Sequence, residues 1–97
     1  MKDMPIDARA ITHDADGSRF TVRVDGQEAE LDYRREGDRL TILHTGVPPA
    51  IERRGIAGAL VAAAFAFARQ HGLKVHPACA YSEAWLGKHP EYEDLRA

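Results

Sequence analysis

Residues 48–58 read PPAIERRGIAG, and the chain continues directly as ALVAAAFAFARQHG to residue 72. The two prolines end an extended segment, because each removes a backbone donor and biases the preceding residue away from helical geometry. Apolar residues then recur at helical spacing, which predicts a helix that begins near Arg53 or Arg54 and runs to His71, with Gly72 as its left-handed stop. Both arginines would lie at the positive end of the helix dipole, which is unfavourable unless an anion lies beside them.

The segments on either side of this helix are predicted strands. LTILHTGV (40–47) precedes the helix and LKVHP (73–77) follows it. A strand–helix–strand order of this kind implies a right-handed parallel crossover. After Cys79, YSEAWLGKH predicts a short helix with Ser82 as its cap, and HPEYEDLRA predicts a final turn.

The N-terminal half alternates apolar and polar residues, as half-buried strands do. FTVRV (20–24), the turn at Asp25-Gly26 and AELDYRR (29–35) form a predicted hairpin, and a turn at 36–38 leads into strand 40–47. A further edge strand is expected around ARAITHD (8–14). The expected fold class is therefore α+β, with a mixed and mostly antiparallel sheet and one parallel β-α-β crossover.

Composition narrows the classes of function. The chain has 97 residues, one domain over 1–97, and 13 basic residues against 15 acidic ones, so we expect neither nucleic acid nor a membrane as a partner. We expect a soluble cytoplasmic protein for three reasons. The chain has a single cysteine, its N-terminus lacks the apolar core of a signal peptide, and its apolar runs are shorter than the roughly 20 residues that span a bilayer. No metal is expected.

The start of the long helix is a candidate anion site. Unpaired amide N–H groups and the helix dipole favour an anion there, and Gly55 and Gly58 would let a ligand approach the backbone. The segment contains neither a P-loop nor a dinucleotide-binding glycine pattern. An alternative stays open, in which Arg53 and Arg54 are simply solvated and the glycines only ease packing.

With its neighbours included, this segment resembles the Gcn5-related N-acetyltransferase (GNAT) superfamily. ERRGIA (52–57) follows the superfamily pattern [QR]-x-x-G-x-[GA], except that Glu52 stands at the first position. LTILHTGVPPAIERRGIAGALV, GLKVHPACAY and HPEYEDL together resemble the small, single-domain members. The resemblance implies a compact GNAT fold with a V-shaped splay between the two central strands, 40–47 and 73–77.

The resemblance also implies a ligand, acetyl-CoA or coenzyme A. Its diphosphate would lie on the backbone amides of the helix start, and its pantetheine arm would insert between the two central strands. The thioester carbonyl would accept a hydrogen bond from backbone near Val47, which stabilises a developing oxyanion. The residues implied at the diphosphate are Arg53, Arg54, Gly55, Ile56, Ala57 and Gly58.

Two residues are candidates for the chemistry. Cys79 is a candidate nucleophile, because the small GNAT-like proteins share its Pro-x-Cys context. The alternative is that Cys79 is an inert buried thiol. His44 is a candidate base for an amine or for Cys79, or else a structural hydrogen-bonding residue; His76 carries less weight. Many GNAT enzymes protonate the departing thiolate with a tyrosine, for which Tyr81 and Tyr92 are the local candidates, packing being the alternative.

The expected function is transfer of an acetyl group from acetyl-CoA to an unidentified amine or thiol, through Cys79 or directly. Larger GNAT enzymes build an acceptor pocket from helices between the first strands, and the short predicted turns leave no room for these. An open acceptor face suits a macromolecular amine, a small exposed thiol or no catalytic acceptor at all. The expected acceptor is an unidentified protein or small amine. The alternative is a coenzyme A-binding or interaction module without turnover.

Overall fold

A computed structural model describes residues 8–97 of the chain. One five-stranded sheet, in the order β1-β2-β3-β4-β5, carries the helices. The strands are β1 (Thr12–Asp14), β2 (Arg19–Val24), β3 (Gln27–Glu36), β4 (Arg39–Gly46) and β5 (Lys74–Pro77). The α-helices are α1 (Ile56–Gln70) and α2 (Ala80–Gly87), and short 3-10 turns span Ala8–Ala10, Pro49–Ile51 and Pro90–Leu95.

The first four strands form an antiparallel meander, as the sequence predicts. Asp25 and Gly26 both have positive φ, the geometry of the tight turn that suits a twisted hairpin. Alternate residues of β2 and β3 are buried on one face, among them Phe20, Val22 and Leu31. The expected edge strand is present as β1, which covers three residues and pairs with β2.

Helix α1 covers the apolar face of the sheet. Leu60, Val61 and Phe65 are fully buried, and the small side chains of Ala64 and Ala68 are buried with them, so α1 lies close to the strands. The opposite face carries polar side chains in cross-strand pairs, such as Arg19 with Asp32. A sheet covered on one face in this way matches the alternation in its sequence.

The parallel pairing of β4 with β5 is short. It runs from Arg39↔Lys74 to Ile42↔Pro77, whereas β4 continues for four residues to Gly46, paired on its other side with β3. Beyond Ile42 the two central strands therefore separate, which confirms the expected splay. The α+β class, with one parallel pair in a mixed sheet, is likewise as predicted.

An irregularity in β4 lies at the same place. Asp32 pairs with His44 and Tyr33 pairs with Ile42, so Leu43 has no cross-strand partner. Such a bulge reverses the faces of the residues that follow it. Leu43 and His44 are both exposed as a result, and His44 lies on the polar face instead of the face of Ile42.

Two expected boundaries are wrong. Helix α1 begins at Ile56 and not at Arg53 or Arg54, because Arg53 and Gly55 adopt positive φ, which no α-helix accommodates. Ser82 is not the cap of α2: Cys79 is the N-cap, and its sulfur accepts a hydrogen bond from the Ser82 amide. The end of α1 agrees with prediction, since His71 is its C-cap and Gly72 is left-handed.

The C-terminal residues lie against the outer edge of β5. Val75 bridges to Arg96, and the amide of Ala97 donates to the Val75 carbonyl at 2.8 Å. Arg96 is fixed in turn by Glu83 and Glu93 at 2.9 and 3.0 Å. None of the helices in the described part of the chain has the length and apolar content to cross a bilayer.

Candidate functional site

The turn before α1 leaves backbone donors without helical partners. Gly55 is the N-cap with φ of 77°, it makes no side-chain cap hydrogen bond, and the first turn contains no acidic residue. The first bond of the helix is donated by Ala59 to the Gly55 carbonyl at 3.0 Å. The amides of Ile56, Ala57 and Gly58 precede that bond and are therefore the orphan donors of the helix N-terminus.

A groove with a volume of about 470 Å³ opens beside these amides. That volume lies within the range of small-molecule sites, roughly 300–1,000 Å³. Its lining comes from the end of β4, from the turn, from the first residues of α1 and from the start of α2. The lining residues are Thr45, Val47, Glu52, Arg53, Gly55, Ile56, Ala57 and Tyr81.

The groove therefore joins the two features that the sequence predicts to bind one ligand. Thr45 and Val47 lie beyond the last pair between β4 and β5. Ile56 and Ala57 are the first two residues of α1. The lining includes backbone donors, the cationic residue Arg53 and one carboxylate residue, Glu52. This donor set fits a ligand with a phosphate group at one end and an extended chain at the other.

The two arginines of the turn have different surroundings. Arg54 forms an ion pair with Asp25 on the β2–β3 turn, with Nη1 2.7 Å from Oδ2, and it does not line the groove. Arg53 lines the groove and, within residues 8–97, forms no ion pair. Its φ of 67° is unusual for a residue with a side chain and costs roughly 1–2 kcal/mol of conformational energy.

Cys79 lies at the N-terminus of α2, half-buried, and outside the lining of the groove. Its Sγ lies 3.1 Å from the Ser82 Oγ, and the Ser82 hydroxyl donates to the Cys79 carbonyl at 2.9 Å. Since the hydroxyl proton is engaged there, the thiol is the donor between Sγ and Oγ. These contacts give the cysteine a capping role, and whether it is also a nucleophile stays a prediction.

His44 lies on the polar face of the sheet, beside the splay. Its Nε2 is 3.9 Å from the Oε2 of Glu30, and both atoms lie close over Gly46, where a Cβ would be 3.0 Å from the imidazole. Thr45 and Val47, on either side of Gly46, line the groove. His44 is thus near the end of the groove but faces Glu30, and its role as a base stays a prediction.

Of the two tyrosines considered, one reaches the groove. Tyr81 lines the groove with 43% of its surface exposed, and burial of the remainder raises the pKa of its hydroxyl. Tyr92 packs against Phe65 and Trp85, with ring centroids 5.5 and 5.7 Å away. His76 is exposed on β5, opposite Thr41, and does not line the groove.

Some neighbours of the groove are not visible in the sequence pattern. Thr45 reaches it only because of the β4 bulge, and Glu30 meets His44 only through the register of β3 on β4. Glu52, the residue that departs from the glycine motif at its first position, also lines the groove. In the part of the chain that the structure describes, no three His, Cys, Asp or Glu side chains group as metal ligands.

Known proteins resemble this chain in both sequence and fold. The family model described as GCN5-related N-acetyl-transferase matches residues 19–95. Protein NATD1 of Gallus gallus is 39% identical over 83 residues, covering 82% of this chain and 76% of that protein. Protein NATD1 of Homo sapiens is also 39% identical over 83 residues, covering 82% of this chain and 74% of that protein.

A solved structure agrees with them. A GCN5-like protein from Staphylococcus aureus, determined by NMR in solution, superposes with a TM-score of 0.71 at 26% identity. The superposition covers 90% of this chain and 86% of that one. With the matched family model, the relatives and the splayed sheet in agreement, the chain belongs to the GCN5-related N-acetyltransferase family.

Proposed function

We propose that this protein transfers the acetyl group of acetyl-CoA to an amine or thiol acceptor. One observation carries the proposal: a single groove extends from the first residues of α1, Ile56 and Ala57, to the end of β4 that continues past β5. Membership of the family supports an acetyltransferase-like activity, and members of the family generally use acetyl-CoA. The donor is therefore acetyl-CoA, and the acceptor is an amine or thiol that reaches the splay.

The proposed pose follows the chemistry of the lining. The diphosphate accepts hydrogen bonds from the amides of Ile56, Ala57 and Gly58, where the helix dipole also favours negative charge. Arg53 adds a mobile cation beside them. The pantetheine arm extends past Thr45, and the thioester carbonyl accepts from the backbone near Val47, which stabilises the oxyanion that forms during transfer.

Transfer to an amine breaks one bond and forms one. The amine nitrogen attacks the thioester carbonyl carbon, the carbon–sulfur bond breaks, and coenzyme A leaves as the thiolate. The amine also loses a proton, which His44 accepts on the polar face of the sheet. The side chains of His44 and Glu30 are 59% and 32% exposed, so an acceptor has access to them from solvent.

A route through Cys79 uses two transfers. Cys79 first loses its thiol proton to solvent, and its thiolate attacks the carbonyl carbon and releases the coenzyme A thiolate. The acceptor amine then takes the acetyl group, loses its own proton to solvent and leaves Cys79 as the thiolate. For this route the thiol must leave its contact with Ser82. The two routes differ in one measurable species, an acetyl thioester on Cys79.

Calorimetry tests the cofactor. We expect acetyl-CoA to bind the wild-type protein at near-neutral pH, and heat equal to dilution at millimolar ligand would refute the proposal. Mass spectrometry of the protein after incubation with acetyl-CoA, with Cys79→Ala as control, then tests the route. An acetyl group that appears only on wild type and is discharged by an added amine supports the two-transfer route.

A coenzyme A-binding module without turnover is the second candidate. Two observations favour it: Glu52 places a carboxylate in a groove proposed to bind a diphosphate, and Cys79 is engaged as a helix cap. This candidate predicts binding of acetyl-CoA without release of free coenzyme A in the presence of small amines. A thiol-reactive dye, applied to the filtrate of such a reaction, distinguishes the two.

A further inference from the structure

The two α-helices meet where α1 begins, and the contact is made by a glycine. Gly58 is the third residue of α1, and α2 lies against it with Tyr81 and Trp85. A Cβ at position 58 would lie 3.3 Å from the Tyr81 Oη and 3.6 Å from the Trp85 Nε1. Two side-chain hydrogen-bonding groups therefore converge on the backbone that carries the orphan amides.

The indole ring of Trp85 is rigidly packed. It stacks on His89, with centroids 3.8 Å apart and planes 12° from parallel, and on Phe65 at 5.2 Å. The Nδ1 of His89 lies 2.8 Å from the Trp85 carbonyl, which fixes that ring as well. Only 8% of the Trp85 surface is exposed, so the N–H has little freedom to choose another partner.

That indole N–H nevertheless has no hydrogen bond to any described residue. No described side chain has a fully buried nitrogen or oxygen without a partner, so the indole nitrogen retains a small contact with solvent. An indole N–H can only donate. Trp85 does not line the groove, but its indole nitrogen lies beside the backbone of Gly58, with solvent and no described residue as its acceptor. An acceptor atom of a ligand at the start of α1 would replace that solvent.

Tyr81 adds a second donor at the same point. Its hydroxyl also lacks a partner among residues 8–97, and its side chain lines the groove. Since burial raises the pKa of Tyr81, the hydroxyl stays protonated throughout the neutral range and can donate. Glu52 is the one carboxylate residue of the groove lining, and it belongs to the turn before α1 and not to α2.

We propose that the Trp85 indole N–H and the Tyr81 hydroxyl bind a phosphate group of the ligand, together with the amides of the first turn of α1. The inference rests on the proposed function, because it takes coenzyme A as the ligand. It assigns to α2 a binding role that neither the glycine motif nor the splay implies. Gly58 is the residue that lets both α2 side chains lie close to the backbone of α1, because a Cβ there would lie 3.3 Å from the Tyr81 hydroxyl oxygen and 3.6 Å from the indole nitrogen.

The indole resonance provides a direct test. The chain has one tryptophan, so its ¹H–¹⁵N spectrum contains one indole signal. We expect coenzyme A and inorganic pyrophosphate to shift that signal, and pantetheine, which has no phosphate, to leave it in place. If coenzyme A shifts the amides of Ala57 and Gly58 but not the indole, the inference is wrong and the proposed function survives.

Variants give an independent measurement. Trp85→Phe keeps an aromatic ring for stacking and removes the donor, so affinity for coenzyme A should fall by about tenfold, the effect of one hydrogen bond to a charged group. Gly58→Ala should also weaken binding, whereas Gly87→Ala, in open space on α2, should bind as wild type. Thermal melts of all three variants identify any loss of folding.

The outcomes separate cleanly. If wild type binds coenzyme A in the calorimeter and Trp85→Phe binds equally well, the role of the indole is refuted alone. If wild type does not bind coenzyme A at all, the proposed function and this inference are refuted together. An indole that shifts with pyrophosphate, combined with weaker binding by Trp85→Phe, establishes the phosphate contact.

Discussion

Replacement of Gly55 by alanine tests the turn that precedes α1, because this glycine combines two properties. Its φ is 77°, in the left-handed region, and an added Cβ would have no heavy atom within 4 Å. The substitution therefore produces no clash inside the protein. Any loss of stability comes from backbone conformation, and any loss of binding comes from the methyl group in the groove.

The expected magnitude follows from those two facts. A left-handed conformation costs a residue with a Cβ roughly 1–2 kcal/mol. Alanine also restricts the unfolded chain, which returns about 0.4–1 kcal/mol. The net loss of unfolding free energy should be about 1 kcal/mol, which for a domain of this size lowers Tm by about 4–8 °C.

Gly37 provides a matched control for this prediction. It also has positive φ, 59°, and open space around its Cβ position, but it lies on the β3–β4 turn and outside the groove. Gly37→Ala and Gly55→Ala should lose similar stability in urea titrations. Only Gly55→Ala should lose affinity for coenzyme A, by about tenfold, because one charge-assisted contact to the backbone is obstructed.

The comparison can refute the reasoning in two ways. Equal coenzyme A affinity of the two variants would show that the turn before α1 does not bind the diphosphate. A stability loss of Gly55→Ala near zero, with Gly37→Ala destabilised as expected, would show that position 55 does not adopt the left-handed conformation in solution.

Three further predictions concern charged groups. Glu52→Gln should raise the affinity for coenzyme A by about threefold at low salt, because it removes one exposed carboxylate from the groove; calorimetry that shows weaker binding would contradict this. Arg54→Ala should lower the unfolding free energy by about 0.2–1 kcal/mol, the usual contribution of an exposed ion pair. When Asp25 has already been replaced by alanine, Arg54→Ala should not lower the unfolding free energy further. Burial lowers the pKa of His13 below 6.5, so the folded state favours the neutral imidazole. The stability that follows from this pKa difference is complete above pH 6.5 and is lost as the pH falls below that value. His13→Phe, which keeps the stacking on Phe20, should therefore show a smaller decrease in Tm on acidification than wild type; equal decreases would refute the assignment.

The strands and the main helix follow from local patterns, and the sequence predicts them well. Asp25-Gly26 gives the hairpin, Pro48 ends β4, and Gly72 ends α1, because each of these residues restricts its own backbone. The start of α1 is harder to predict. Arg53 adopts a positive φ that its residue type disfavours, and no propensity scale anticipates a conformation imposed by the surrounding fold.

Predictions about side chains succeed only where the contact is local. The glycine motif lies at the groove through the backbone of Gly55, and Val47 and Arg53 also line it, whereas their binding of coenzyme A stays a prediction. The bulge at Leu43 turns His44 to the polar face, and only the pairing of β3 with β4 reveals it. Trp85 becomes a neighbour of Gly58 through the docking of α2, a contact between distant segments. The Cys79 cap is a local contact with Ser82 that the sequence prediction misses because cysteine is not among the usual capping residues.

The C-terminal residues that pair with the outer edge of β5 limit the ways in which two molecules can associate through their sheets. Backbone groups at the rim of a sheet can recruit a strand from another molecule, and the longer and flatter the rim, the greater the hazard. At the outer edge of β5 the backbone of Val75 already pairs with Ala97 and Arg96, and an ion pair with Glu83 holds Arg96 in place. In the described range, the strand edges that remain open are short: Thr12–Asp14 at the opposite rim, residues 22–24 of β2 beyond it, and residues 43–46 of β4 beyond the end of β5.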